Sequence, residues 1–188
     1  MKLTQATYNY LNHEKERKLG RYYSSEIYSI IARYKKPEDH FKPDPIKPEH
    51  QGLVLRGMMA EALLADILKD KCKCGDNQPK YELKIDDEIT IVVKPDFEWE
   101  NEVWETKYPK EKTTEIPNKW KYQLECEHRA TNKKVKLMVF SQPKELKTMP
   151  FNLKEIEYQP CEATWEEIIK KIKVYHKKLK QIKNNELS

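Results

Sequence analysis

The stretch Ile89-Thr90-Ile91-Val92-Val93-Lys94-Pro95-Asp96-Phe97, followed by Glu102-Val103-Trp104-Glu105-Thr106-Lys107, decides the expected fold. The first segment is rich in β-branched residues, which favour strands. The four residues between the segments can form a turn, so we predict strands over 88–97 and 102–108 that pair as a hairpin. Residues 81–85 predict a further strand, joined to the hairpin by a turn at Asp86-Asp87.

Helical patterns surround these strands. We predict N-terminal helices within 4–35 (over 4–19 and 25–35), helices over 53–69 and 117–130, a strand over 134–141 and a C-terminal helix over 164–183. Thr164 and Glu167 form a capping box for the last helix. The helix over 53–69 is apolar on most of its circumference, which predicts burial. Four prolines exclude regular structure from 36–50, which is an ordered loop or lid on one interpretation and a plain linker on the other.

Composition narrows the class of protein. The chain has 188 residues, of which 38% are hydrophobic and 36% charged, which suits a single domain over 1–188. The formal net charge of +5 is compatible with nucleic-acid binding without requiring it. No apolar run is long enough for a membrane span, and the four cysteines are best interpreted as free thiols in a reducing compartment. We expect a soluble, cytoplasmic protein.

Two carboxylates and one lysine are expected to converge at the hairpin. Residues two apart on a strand project to the same face, so Glu105 and Lys107 point together, and Asp96 lies on the neighbouring strand. Two close carboxylates stay ionised only with a cation between them, and Mg²⁺ or Mn²⁺ bound through oxygen would serve. A Glu-x-Lys triplet alone has little weight, because Glu82-Leu83-Lys84 is another.

The Pro-Asp pair followed by Glu-Thr-Lys closely resembles the motif of the PD-(D/E)XK nuclease superfamily, specifically its RecB-like branch with the CRISPR-associated RecB-like exonucleases. The resemblance covers about 50–141. It implies an α/β, restriction-endonuclease-like core, with a central mixed four-stranded sheet flanked by helices and extra helices at both termini. It also implies that Asp96, Glu105 and the carbonyl of Thr106 bind the metal, while Lys107 assists the attacking water.

Two further positions match the same family. Glu61 corresponds to the acidic or histidine residue of the helix before the strands, and it lies about 20° from Val54 and Leu68 on a helical wheel. This placement inside an apolar face favours a buried metal ligand. The alternative is a Glu at the edge of that face whose carboxylate reaches solvent. Gln123 corresponds to the Gln that positions phosphate or lysine. Four residues after this Gln, where the family usually has Tyr, this chain has Glu127. At position 61, where many relatives have His, this chain has Glu.

The resemblance does not extend to an iron–sulfur cluster. Relatives that carry one use a cysteine before the core and three near the C-terminus, whereas this chain has no cysteine before Cys72 and only Cys161 after the core. We expect no cluster. A metal site built on Cys72 and Cys74 is a weaker alternative, because their spacing is not that of a zinc site.

Basic residues near the motif are candidates for phosphate binding, namely Lys110, Lys112, Lys119 and Lys121. Further lysines crowd the C-terminal helix, where a solvated face is an equal alternative. Four aromatics could stack on bases, although core packing is the more common role for each: Tyr22, Tyr23, Trp99 and Trp120.

Together these features predict a metal-dependent DNA nuclease that hydrolyses phosphodiester bonds, with Glu61, Asp96, Glu105, Lys107 and Gln123 in its site. The leading version is a RecB-like exonuclease in DNA repair, recombination or mobile-element replication. One rival is a structure-specific or restriction-type endonuclease, which a homo-oligomer would favour. Another is a non-catalytic nucleic-acid-binding module on the same fold. A protein-interaction component would leave the motif unexplained.

Overall fold

The computed structural model describes residues 17–32, 34–42, 45–109, 113, 115–141 and 152–185. Within these ranges the chain forms the α-helices α1 (Ile27–Ile31), α2 (Pro48–Leu68), α3 (Asn118–Thr131) and α4 (Glu162–Asn185). It also forms the strands β1 (Arg21–Tyr23), β2 (Lys73–Cys74), β3 (Tyr81–Lys84), β4 (Thr90–Val93), β5 (Phe97–Glu98), β6 (Glu102–Lys107), β7 (Lys134–Ser141) and β8 (Asn152–Glu157).

The strands are divided between two sheets. One has the order β1-β4-β3, with β1 parallel to β4 and β3 antiparallel to it. The other has the order β2-β5-β6-β7-β8, in which only β6 and β7 run parallel. Helix α3 connects those two parallel strands, as a crossover must. The expected mixed α/β fold is confirmed, whereas the single four-stranded sheet is wrong.

The division between the sheets falls at Pro95. The strand predicted over 88–97 is in fact two strands, because β4 ends at Val93 and β5 begins at Phe97. Proline has no N–H to give to a ladder, so it interrupts a strand that β-branched residues would otherwise continue. The backbone therefore leaves one sheet and enters the other at Asp96.

The five-stranded sheet lies between α2 and α3. Side chains alternate along β6, so Val103 packs against Leu124 of α3, whereas Trp104 belongs to the cluster that includes Leu64 of α2. Both faces of the central strands consequently carry buried apolar side chains. This packing fixes α2 and α3 on opposite sides of β6, which carries the Glu-x-Lys motif.

Helix α4 covers the three-stranded sheet. It presents an apolar stripe, which joins Ile91 and Val93 of β4 in one core cluster. The buried stripe residues are Ile168, Ile172, Tyr175 and Leu179. The helix runs over Glu162–Asn185, slightly longer than the predicted 164–183, so Thr164 lies inside its first turn and the predicted capping box of Thr164 with Glu167 is wrong. Among the described residues, no helix combines the length and the apolar character that a membrane crossing would need.

Several other predictions need correction. Strands β1, β2 and β8 have no counterpart in the sequence prediction, and β8 lies in a stretch expected to be irregular. The helix over 25–35 is shortened to α1, preceded by a 3₁₀ turn over Ser24–Glu26. The helix over 4–19 lies outside the described residues except for 17–19, which are not helical. Helix α2 begins at Pro48, because proline suits a first helical position.

His40 lies in an aromatic cluster beneath α4. Its side chain is buried, and its Nδ1 shares a hydrogen bond of 3.2 Å with the hydroxyl of Tyr175. The rings of Tyr22 and Phe41 also contact it. Burial lowers the pKa of His40 to about 4, and the guanidinium of Arg17 acts in the same direction. The folded protein therefore holds this imidazole neutral.

We predict that His40 makes the fold sensitive to acid. In the unfolded chain its pKa returns to about 6.5, so between about pH 6.5 and pH 4 the unfolded state binds the extra proton. Stability is therefore full above this window and declines as the pH falls through it. Urea unfolding of wild type and His40→Phe across the window should show a weaker pH dependence for the variant. His50→Phe, at an exposed histidine, is the control, and an equal pH dependence in all three proteins would contradict the prediction.

Candidate active site

Asp96 is fixed by the strand that pairs with its own. Trp99 donates its N–H to the carbonyl of Glu102 at 2.9 Å, so positions 99 and 102 form a hydrogen-bonded pair. Such pairs recur at every second position of an antiparallel ladder, which makes 95 and 106 the corresponding pair. Pro95 has no N–H to complete that pair, and its carbonyl accepts instead from Gln78 at 2.9 Å.

The carboxylate of Asp96 takes the place of the Pro95 carbonyl as the acceptor for the Thr106 N–H. Thr106 donates both its backbone N–H and its hydroxyl to Asp96 Oδ2, at 2.7 and 2.5 Å. The carbonyl of Thr106 correspondingly lacks the donor that a residue other than proline at position 95 would supply. Burial, followed by the charges of Glu105 and Glu61, raises the pKa of Asp96 well above its usual value.

Glu105 and Lys107 lie on the face of β6 that α3 covers. The ammonium of Lys107 donates to Glu105 Oε1 and, at 3.1 Å, to Gln123 Oε1. Glu105 is 4% exposed, and its Oε2 has no hydrogen-bond partner within the described part of the chain. Burial lowers the pKa of Lys107, but Glu105 and Asp96 more than offset this, so the net shift is upward.

Glu61 reaches the same region from α2. Burial, followed by the charge of Glu105, raises the pKa of this half-buried carboxyl. Glu61 lines a cavity of about 360 Å³ together with Thr106, Lys107 and Tyr108. The structure thus brings together all five side chains expected in the site: those of Glu61, Asp96, Glu105, Lys107 and Gln123.

Glu127 is an additional member of this cluster, although in the sequence it stands out only as a departure from a family pattern. It lies one helical turn after Gln123 on α3 and is fully buried. Neither of its oxygens has a partner when both carboxyls are ionised, whereas a protonated Glu127 can donate to Glu105. Burial and the charge of Glu105 raise the pKa of Glu127 well above its usual value. The spacing of four from Gln123 was the available signal.

The cluster offers oxygen donors for a hard divalent cation. Among the residues described, no three Asp, Glu, His or Cys side chains surround a common point where a metal ion would sit. The donor set nevertheless fits such an ion, because Glu105 Oε2 is buried without a partner and Thr106 occupies only one oxygen of Asp96. Hard cations bind through oxygens of this kind.

The predicted nucleic-acid contacts have mixed outcomes. Lys119 and Lys121 are exposed on α3, whereas Lys110 and Lys112 lie outside the described residues. Tyr22 and Trp120 are buried in the core, so they are unsuited to base stacking. Tyr23 and Trp99 are half-buried.

On α4, two of the lysines form ion pairs within the chain, Lys173 with Asp86 at 3.5 Å and Lys180 with Glu88 at 2.5 Å. That part of α4 is therefore a solvated face on which carboxylates partly neutralise the lysine charges.

Comparisons with known proteins identify a fold. No family model and no curated protein sequence matches the chain. An alkaline exonuclease (LHK-Exo) from Laribacter hongkongensis is similar in structure, with a TM-score of 0.58 and 12% identity over 98% of this chain and 100% of the other. The same enzyme in complex with dAMP has a TM-score of 0.59 and 12% identity over 90% and 96%. The solved structure of SSO0001 has a TM-score of 0.62 and 15% identity over 93% and 85%.

We predict opposite effects on stability for two neighbouring buried glutamates. At neutral pH each unit by which the pKa of Glu127 exceeds its usual value costs about 1.4 kcal/mol until that pKa reaches the pH, so Glu127→Gln should raise the free energy of unfolding. Because the folded-state pKa is raised, the gain should increase as the pH rises above about 4.5.

The matched control is Glu125→Gln. Glu125 is equally buried, but it accepts hydrogen bonds from Arg129, Tyr158 and the backbone N–H of Cys161. Its replacement should cost about 1–3 kcal/mol at neutral pH. Urea titrations in metal-free buffer measure both effects, and a loss of stability in Glu127→Gln comparable to the control would contradict the assignment.

By TM-scores of 0.58 and 0.62, the chain therefore shares the fold of LHK-Exo and SSO0001.

Proposed function

We propose that this protein is a metal-dependent DNA nuclease that hydrolyses phosphodiester bonds. The observation that carries the proposal is the convergence of Asp96, Glu105 and Lys107 where the two sheets separate, with Glu61 and Gln123 beside them. The fold is shared with an alkaline exonuclease, which was also solved with the deoxynucleotide dAMP. A RecB-like exonuclease in DNA repair, recombination or mobile-element replication is the version we favour.

Asp96, Glu105, Glu61 and the Thr106 carbonyl would hold the metal ion, for which Mg²⁺ or Mn²⁺ is our proposal. Such an ion polarises the phosphodiester and lowers the pKa of a bound water. The fit rests on the unpartnered Glu105 Oε2 and on the carbonyl that faces the missing N–H of Pro95. Raised pKa values at Asp96 and Glu61 support it too, because they mark carboxylates that lack sufficient positive charge nearby.

Lys107 would offset the charge that grows on the phosphate or orient the attacking water. Its ammonium is already directed by two acceptors, Glu105 Oε1 and Gln123 Oε1, so little ordering is needed at the moment of reaction. Gln123 is on this account a positioning residue, since it acts through Lys107. Glu127, held protonated, would add no further negative charge beneath Glu105.

The cavity of about 360 Å³ beside Glu61 and Lys107 is the proposed entrance for DNA. Gly57 of α2 lies next to Tyr108 there, and a Cβ at that glycine would be 3.9 Å from the Tyr108 side chain. Exposed Lys119 and Lys121 of α3 would bind the phosphate backbone without regard to sequence. A cytoplasmic setting fits this proposal, because DNA and free thiols both belong to a reducing compartment.

Cleavage assays test the proposal directly. End-labelled single- and double-stranded DNA would be incubated with wild type in Mg²⁺, Mn²⁺ or EDTA, and the product ladder would separate exonuclease from endonuclease action. Asp96→Asn and Lys107→Ala should each lower the rate at least about a hundredfold, because each removes a charged group from the reacting centre.

Lys84→Ala is the control for that assay. Lys84 belongs to the other Glu-x-Lys triplet and is exposed on β3, so the variant should retain wild-type activity. Cleavage that persists in EDTA, or that survives Asp96→Asn, would overturn the proposal. Binding without cleavage on every substrate would favour the non-catalytic module.

We predict that α3 contributes to DNA affinity through charge alone. Replacing both Lys119 and Lys121 by Gln should weaken binding on all sequences. It should also reduce the slope of log affinity against log salt by about 1 for each phosphate that a lysine no longer neutralises. Fluorescence anisotropy over a salt series measures this slope. Lys173→Gln with Lys180→Gln is the control, since those side chains are paired with Asp86 and Glu88; an equal change in slope would contradict the assignment to α3.

A further inference from the structure

Helix α2 exposes a continuous apolar stripe. Four large hydrophobic side chains spaced one turn apart face outward: Leu55 (36% exposed), Met59 (64%), Leu63 (58%) and Ile67 (60%). Single exposed hydrophobic residues are ordinary, but a contiguous set on one helix marks an interaction surface. The sequence predicted that this helix is buried, and only its inner face is.

The stripe is separate from the candidate active site. On the inner face of α2, Leu64 and Leu68 pack beneath Trp104, while Glu61 and Met58 line the cavity. At about 100° per residue, position 61 lies on the side of the helix opposite the centre of the stripe. Within the part of the chain that the structure describes, none of the four stripe residues belongs to a core cluster.

The four stripe positions are evenly placed about position 61, with a large apolar residue at each mirror position. About position 61, Leu55 is the mirror position of Ile67 and Met59 is that of Leu63. The charges on the same face obey the same relation, because Arg56 is the mirror position of Asp66 and has the opposite sign. A surface of this kind is complementary to itself when a second copy runs antiparallel across a two-fold axis.

We propose that α2 pairs with α2 of a second copy of this chain to form an antiparallel two-fold dimer. Leu55 would pack on Ile67 of the partner subunit, and Met59 on Leu63 of the partner subunit. These apolar contacts remove from water the side chains that the monomer leaves exposed. Helices packed in this way lie about 8–10 Å apart.

The charged pair selects the antiparallel arrangement. Arg56 would lie beside Asp66 of the partner subunit, and the symmetry repeats this contact at the other end of the helix pair. A parallel arrangement would instead bring like charges together. Both residues also interact within their own chain, Asp66 with Lys69 at 2.9 Å, so the pair contributes more to orientation than to affinity.

Four side chains are a modest surface beside a standard interface of about 1,600 Å². We therefore expect a monomer–dimer equilibrium that shifts with protein concentration rather than a permanent dimer. Because Glu61 faces away from the stripe, both candidate sites would remain open in the dimer. If the proposed nuclease function is also correct, two sites in one particle would suit the endonuclease alternative.

Sedimentation velocity on the full chain over a concentration series tests the dimer without reference to activity. Wild type should shift from monomer to dimer as its concentration rises. Met59→Ser with Leu63→Ser should weaken the dimer roughly tenfold or more, because it removes the centre of the apolar contact. Val174→Ser, at a hydrophobic residue of α4 that is 52% exposed, should not. A wild type that stays monomeric, or a dimer indifferent to the Ser variants, would overturn the proposal.

A charge exchange tests the orientation. Arg56→Asp alone and Asp66→Arg alone should each weaken the dimer, since each places like charges together across the interface. The double variant should restore the wild-type constant, because the two charges are merely exchanged. Failure of the double variant to restore dimerisation, with each variant folded by circular dichroism, would rule out this antiparallel register.

Cysteine cross-linking provides an independent measure of geometry, in a Cys161→Ser background that removes the exposed native thiol. In the antiparallel dimer, Leu55→Cys with Ile67→Cys should form an intermolecular disulfide. Leu55→Cys alone should not, because the two copies of position 55 lie twelve residues apart along the helix pair, about 18 Å. Efficient cross-linking of Leu55→Cys alone would indicate a parallel pair and overturn the proposal.

Discussion

The interruption of the strand ladder at Pro95 is the constraint on which the candidate site depends. Without that proline, β4 could continue into β5 and the N–H of Thr106 would be bonded by a neighbouring backbone. Because Pro95 cannot donate to the Thr106 carbonyl, the ladder ends there. The Pro95 carbonyl accepts from Gln78 instead, and Thr106 gives both its N–H and its hydroxyl to Asp96. The same gap leaves the Thr106 carbonyl without a ladder donor. The missing N–H of Pro95 thus frees the Thr106 carbonyl, while the turning of the Pro95 carbonyl to Gln78 leaves the Thr106 N–H to aim the Asp96 carboxylate.

Charge balance explains the remaining features of the cluster. Among the residues that the structure describes, four carboxyl groups, those of Glu61, Asp96, Glu105 and Glu127, interact with one ammonium group, that of Lys107. Buried like charges cannot all ionise, so protons, a cation or both must compensate them. Glu125, on the same helix, shows the contrast: it is as buried as Glu127, but Arg129, Tyr158 and a backbone N–H satisfy it. Among the described residues, the carboxyl groups whose pKa is raised, those of Glu61, Asp96 and Glu127, all belong to this cluster, which is why we propose a cation there.

Strongly periodic segments could be predicted from sequence, and segments defined by tertiary contacts could not. Strand β6, helix α3 and strand β7 lie within one or two residues of their predicted limits, because each has an unbroken pattern of its own period. The division of 88–97 is not predictable from sequence, because β-branched residues run up to Val93 and the Pro95 that follows permits a bulge as readily as a change of sheet. Strand β1 has three residues, and its pairing with β4 is visible only in the fold. Glu127 was overlooked because a family pattern with Tyr was expected at that position.

Helix α2 shows why a helix that is apolar all round is ambiguous in sequence. Such a pattern predicts complete burial, yet here the protein covers only the side that holds Leu64 and Glu61. The outer side keeps Met59, Leu63 and Ile67 in water, at a cost that no contact in the described part of the chain offsets. A surface that is apolar and also complementary to itself in charge is most simply explained by a second copy of the chain. The inner face of α2 would then position the Glu61 carboxylate, and its outer face would bring two candidate active sites into one dimer.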